Sequence, residues 1–303
     1  MAMSDSEQPE LLPEELDTKI ILRGPIDPFA HDMLRMMDDC ESSDVHFLVG
    51  KNRKTIYGHK VLISKRCQIL KTLFLNATTT DGIASVVLPE TDPEILLSVL
   101  EFIYTNRVSI SNPEQGIQVL HLALEYGLEE LSYLCNKYLA DHLGVATASD
   151  IMQAAVSLAQ GDLKETALKY IEVNTVEVFK DHGFHNLTVE AMCEILESDA
   201  LNIDELDIIG KVEEWVAQKH KMTPGNSKVD IARPVVKHLR LPLLTTAELK
   251  TVDEANKKNR IISDKVFSSA WRTLSLKEAE EPKSPLVKPR AGTKERDHHK
   301  DFQ

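Results

Sequence analysis

The side chains most able to do chemistry in this chain are few and scattered. His182 and His185 stand three residues apart, a spacing at which two imidazoles can share a metal ion, and Cys193 follows further on. Gly183 and Phe184 interrupt the pair and no third ligand stands near, so two solvated histidines at a polar helix terminus are expected. His59 directly follows an extended stretch and opens a helical one. Its expected work is structural, bonding a nearby backbone group. The cysteines (Cys40, Cys67, Cys135, Cys193) form no C-x-x-C pair, which argues against a zinc ribbon or a redox motif. Each falls in a patterned segment, where a free thiol behaves as a small apolar side chain, and a reducing compartment, cytoplasmic or nuclear, is expected. The sequence has no G-x-x-x-x-G-K-[ST], no G-x-G-x-x-G and no G-x-S-x-G. Glu129 and Glu130 read as helix-face charges. With no nucleophile matched to a base, the chain reads as no enzyme, with no cofactor and no metal.

Such residues are held by elements, and the elements are legible. The 303 residues suffice for about two domains. Net charge is −13, from 35 basic and 48 acidic residues, which argues against phosphate-backbone binding and hence against a nucleic-acid partner. No apolar run approaches the roughly 20 residues of a membrane span, and "MAMSDSEQPELLPEELD" has no basic start or apolar stretch, so neither a membrane partner nor a secretory signal is expected. Residues 1–17 read as flexible and "TKIILRG" as a short strand. "PFAHDMLRMMDDC" places Phe29, Met33, Met37 and Cys40 at helical spacing, with Leu34 and Met36 widening the stripe. A helix apolar on more than one side needs more than one neighbour.

The period then changes. "DVHFLVG" alternates like a strand, "TIYG" is its hairpin partner, and "HKVLISKRCQILKTLFL" reads as two short helices. "TTTDG" reads as a loop and "SVVL" as a third strand. In the helix that follows, Leu96, Leu100 and Ile103 line one face; Asp92 and Pro93 mark its start, Thr91 and Glu94 have capping-box spacing, and Asn106 marks its end. "RVSI" reads as a brief extended piece. Two helices ending at Gly127 and Gly144 make a hairpin. Beyond residue 145 strand patterns vanish, and residues 145–274 read as short helical hairpins, with a capping box at Thr245 and Glu248. Residues 277–303, rich in Lys, Glu, Pro and Ser, read as disordered, so His298 and His299 carry no weight.

The blocks "SSDVHFLVG", "HKVLISKRCQILKTLF", "VVLPETDPEILLSVLEFIYTNRV" and "LALEYGLEELSYLCNKYL" occur in an order that resembles a BTB (POZ) domain, over roughly residues 27–142. The second half, with "LKETALKYIEVNTVEVF", "ILESDALNIDEL", "EEWV" and "HLRLPLLTTAEL", resembles a BACK domain. The resemblance implies an α+β BTB/POZ domain, a small sheet flanked by helices, over 18–143, then an all-α BACK helical-hairpin domain over 144–276, with 1–17 and 277–303 outside them. It makes Tyr104 a core residue, Asp44 and His59 fold-supporting, and the "FIYTNRV" turn a passage to a short edge strand. It implies a two-fold dimer, with itself or another BTB protein, through Ile20, Ile21, Phe29, Met33, Leu34, Met36 and Met37. It further implies a cullin-3 ubiquitin-ligase adaptor holding an unknown target protein. The family's cullin contact uses an apolar-x-Glu motif after the "LF" helix. Here the matching residues are Phe74, Thr78, Thr80 and Asp81, with Thr78 in the apolar place and Thr80 in that of the Glu. The alternative is a dimeric or heterodimerising scaffold without ligase association.

Overall fold

The computed structural model describes residues 26–223, 225–276 and 284–302. The expected strand over "TKIILRG", with Ile20 and Ile21, lies outside the described residues. Helix α1 (Ile26–Met36) leads into the hairpin of β1 (Val45–Val49) and β2 (Lys54–Gly58). Val45, Phe47 and Val49 are fully buried while His46 and Leu48 are half-buried, the two faces that a period of two produces. Phe47 stands opposite Ile56 on one side and Val86 on the other. Helices α2 (Lys60–Arg66) and α3 (Gln68–Asn76) follow. Asp44 supports α2 by accepting the Lys60 N–H at 2.7 Å.

The "TTTDG" stretch is not a loop. Thr78–Thr80 form β3, antiparallel to β4 (Ile83–Leu88), because Asp81 and Gly82 both take positive φ (51° and 84°), the backbone of a two-residue hairpin turn. β4 lies parallel to β1, and the sheet order is β2-β1-β4-β3. Helix α4 (Pro93–Thr105) is capped by Asp92, which accepts the Glu94 N–H at 2.8 Å; Thr91 makes no cap there. It stops at Asn106, whose φ of 58° is left-handed, as its residue type allows. "RVSI" then runs on without entering any ladder.

Helices α5 (Pro113–Glu125) and α6 (Glu129–Asp141) form the expected hairpin. The second half continues with α7 (Ala148–Ser157), α8 (Gly161–Val173), α9 (Thr175–Val178), α10 (Val189–Glu197), α11 (Glu205–Met222), α12 (Lys228–Ala232), α13 (Thr246–Asn259) and α14 (Asp264–Leu276). The Thr245–Glu248 capping box is formed. On α8, Leu163, Ala167 and Ile171 share one buried face; on α11, Ile208, Val212 and Trp215 do, and the Trp215 indole donates to the Leu187 carbonyl at 3.0 Å. One continuous apolar core runs from Phe47 and Leu100 through Leu139 and Ile151 to Trp215.

Two further expectations are overturned. Cys40 is exposed, past the end of α1, although Cys67 and Cys135 are buried. Burial pushes the Cys135 thiol up to about 12. Residues 284–302 are ordered against the BACK half, with short 3-10 turns at Pro285–Val287 and Asp297–Phe302. Composition pointed to disorder because the segment has few apolar residues; it is held instead by ion pairs and by donors to free carbonyls.

Candidate interaction surfaces

Helix α1 carries its apolar residues over an arc of roughly 160° at 100° per residue. The middle of the arc, Ala30, Met33 and Met37, lies against α4 and the core. Among the described residues the flanks are open: Phe29 is 61% exposed, and Met36 and Leu34 remain exposed on either side, with Ile26 at the helix start. The structure thus splits the proposed dimer residues. Met33 and Met37 face inward for the most part, and Phe29, Leu34 and Met36 face out. Exposed large side chains on consecutive turns of one helix are the kind of surface that association covers.

The loop matched to the cullin contact is also divided. Phe74 is a core residue, its ring 5.9 Å from that of Phe47, because it repeats the inward face of Leu70 four residues earlier. It offers no outward contact, which corrects that assignment. Thr78, Thr80 and Asp81 are exposed on β3 and its turn. Leu75, which the reading of the sequence passed over, is 78% exposed beside them. Its position next to inward Phe74 was the available signal, since neighbours on a helix face different ways.

A cavity of ≈ 660 Å³ opens between the loop after β4, α5 and α7. Its walls include Pro89, Ile95, Ile117 and His121 from the first half and Gln153 and Leu158 from the second. Burial pushes the Asp150 carboxyl up, with Asp181 and Glu114 adding to it, so this rim is acidic and partly desolvated.

One arrangement resembles a catalytic pair and was not foreseen. Ser42 Oγ lies 2.9 Å from His59 Nε2, and His59 Nδ1 lies 2.9 Å from the Tyr104 hydroxyl. The proton order runs against a serine nucleophile. Asp39 only accepts, and the Ser42 hydroxyl donates its hydrogen bond to it at 2.5 Å. His59 Nε2 must then donate to Ser42, leaving Nδ1 to accept from Tyr104. The imidazole is therefore no base toward the serine. Tyr104 also accepts the His59 backbone N–H at 2.9 Å, and burial pushes its phenol up to about 12. The expected partner of His59 was a backbone group; it is this buried tyrosine side chain, which ties α4 to the start of α2.

His182 and His185 occupy a 3-10 turn, His182–Asn186, with ring centres 6.4 Å apart. Among the described residues no group of three or more His, Cys, Asp or Glu side chains is placed to hold a metal. Among them, too, no helix is long and apolar enough to cross a membrane.

Residues 33–143 match the model of the BTB/POZ domain, and residues 148–253 match that of BACK, described as BTB And C-terminal Kelch. The chain is similar to BTB/POZ domain-containing protein 19 of Homo sapiens, 33% identical over 282 residues that cover 93% of this chain and 96% of that protein. The protein of the same name from Bos taurus is 32% identical over the same length. BTB/POZ domain-containing protein 9 of Drosophila melanogaster is 27% identical over 228 residues, 75% of this chain but 30% of that protein.

Proposed function

The chain belongs to the BTB/POZ–BACK family, and on that premise we propose that it is an adaptor that dimerises through α1 and the segment around Ile20 and Ile21. Proteins of this architecture generally act as protein-interaction modules, and the architecture is that of a non-enzymatic adaptor. The observation that carries the dimer is the uncovered flank of α1, with Phe29 61% exposed. A second copy of the same helix brings the same flank, so an isologous contact covers both at once. Light scattering on the full chain tests it. The parent chain is expected to be a dimer at tens of micromolar, and Phe29→Glu with Met36→Glu a folded monomer. A parent chain already monomeric at that concentration sinks the dimer.

The finer reading is a cullin-3 ligase adaptor. The exposed Leu75, the β3 turn and the α7 wall of the cavity supply a candidate contact. The second reading, a scaffold without ligase association, is favoured by one observation. Exposed hydroxyls at Thr78 and Thr80 stand where the family contact has an apolar anchor and a carboxylate. Binding of the purified chain to the N-terminal region of cullin-3 separates the two. Sub-micromolar affinity that Leu75→Asp abolishes supports the adaptor, and affinity no better than micromolar supports the scaffold.

A further inference from the structure

Residues 284–302 lie along the BACK half as a ligand lies in a groove. Arg290 is the centre. Its guanidinium pairs with Glu205, and both side chains are completely buried. The same guanidinium donates to the carbonyls of Leu196 (2.6 Å), Ser198 (3.1 Å) and His238 (2.9 Å). These carbonyls lie at or just past the ends of α10 and of the 3-10 turn Val236–His238, where helices leave acceptors unmatched. Glu205 also accepts the Arg240 backbone N–H at 2.6 Å. Two residues on, Gly292 donates to the Leu201 carbonyl at 3.0 Å, after Ala291 has donated to Asp199 at 2.9 Å. A Cβ built on Gly292 overlaps the backbone of Asn202 and Ile203, so only glycine passes there. Four residues further, Arg296 forks across Asp204 (2.9 Å) and Glu248 (2.8 Å) with its side chain 6% exposed. Lys288 pairs with Asp199 at one end, and His299 meets the Leu243 carbonyl at 2.8 Å at the other.

The chemistry is that of recognition by polar heads. The segment adds no strand or long helix to the BACK half, and Val287 is its one buried apolar side chain among those described. Its cations meet Asp199, Asp204, Glu205 and Glu248, all presented by the body of the domain. Four guanidinium bonds at Arg290 exceed what the three donors of a lysine can make. An empty groove would leave Glu205 without its guanidinium, to be relieved only by water or a proton, so a competing cation gains by entering.

We propose that the BACK half carries a binding groove for a basic peptide of the pattern Arg-x-Gly-x-x-x-Arg, and that residues 284–302 are its resident ligand. An external segment of that pattern binds only in exchange for the tail. The proposal is independent of dimerisation and of cullin binding, since none of its residues lies on α1 or the β3 turn.

The test uses the full chain with a protease recognition sequence inserted between residues 280 and 281, purified folded and then cut. The probe is a fluorescent synthetic peptide with the sequence of residues 284–302. The uncut chain is expected to bind none of it. After cutting, the tail is expected to co-elute with the body and then to exchange with excess probe. Competing peptides carrying Arg290→Lys or Gly292→Val are expected to be weaker by about tenfold or more. Because the cut is made in the folded chain and these substitutions sit in the competing peptides, the exchange measurement needs no substituted chain to fold. Variant peptides that compete as well as the parent overturn the proposal. So does a cut tail that separates at once at micromolar concentration, or one that never exchanges. A dimer of the uncut chain that survives Phe29→Glu with Met36→Glu and is lost with Arg290→Lys places the tail on a second copy and overturns its assignment to its own chain.

Discussion

Phe29 on α1 is 61% exposed, whereas Arg290, near the other end of the sequence, is 3% exposed. The first belongs to a helix with apolar residues on most of its turns, the second to a segment dense in lysine, arginine and proline. What separates them is the surface opposite. Among the described residues α1 packs chiefly on α4, which covers much of Met33 and Met37 and leaves Phe29 open. The tail has Glu205, Asp204 and Glu248 beneath it, and free carbonyls that fit a guanidinium. Apolar area stabilises only where something removes it from water, and a charge is buried only where its partner is already placed. Among the described residues α1 keeps an open apolar flank, whereas the buried charges of the tail are paired.

The largest effect that sharpens this contrast comes from Glu205→Ala. It leaves Arg290 buried without its carboxylate and should lower unfolding stability by about 3–5 kcal/mol, read from the urea midpoint at constant m. A loss no larger than that of a surface change would show the tail to be loosely held. Acidification should act in the same direction and less strongly. Burial alone would raise Asp204 and Glu248, but the bonds from Arg296 and from backbone amides outweigh it and hold both below their ordinary values of 3.8 and 4.5. Their contribution is therefore complete above those values and is lost as pH falls through the lower folded ones. The stability gap between the parent chain and Arg296→Met should close over that acid range, and a gap that persists below it breaks the assignment.

On α1 the expected effects are smaller and divided by face. Met33→Ala should cost roughly 1–2 kcal/mol, less than a fully enclosed methionine because the side chain is only half-buried. Phe29→Ala, measured where the chain is monomeric, should change stability by no more than about 0.5 kcal/mol. Equal losses from the two would mean that both faces of α1 are already covered within one subunit, and the contrast with the tail would fail.

Much of the fold was legible. The alternation of Val45, Phe47 and Val49, the cap at Asp92, the left-handed stop at Asn106 and the capping box at Thr245 are local properties, set by side-chain period and by hydrogen bonds a few residues long. The candidate surfaces were legible in part. The stripe on α1 was visible, but the division between Met33 inside and Phe29 outside depends on where α4 lies. Phe74 and Leu75 are adjacent apolar residues in sequence, and only the sheet beneath α3 decides that the first is core and the second is surface.

The sequence by itself determined most of the order of elements, several of their ends, and the family to which the chain belongs, because these rest on short-range chemistry that each segment carries with it; β3 and the ordered tail escaped it. The tertiary structure decided which apolar residues remain uncovered, which way the proton runs between Ser42 and His59, and that Arg290 reaches Glu205 across 85 residues of chain. Those outcomes depend on groups far apart along the backbone coming within hydrogen-bond distance, and no local period records such a meeting.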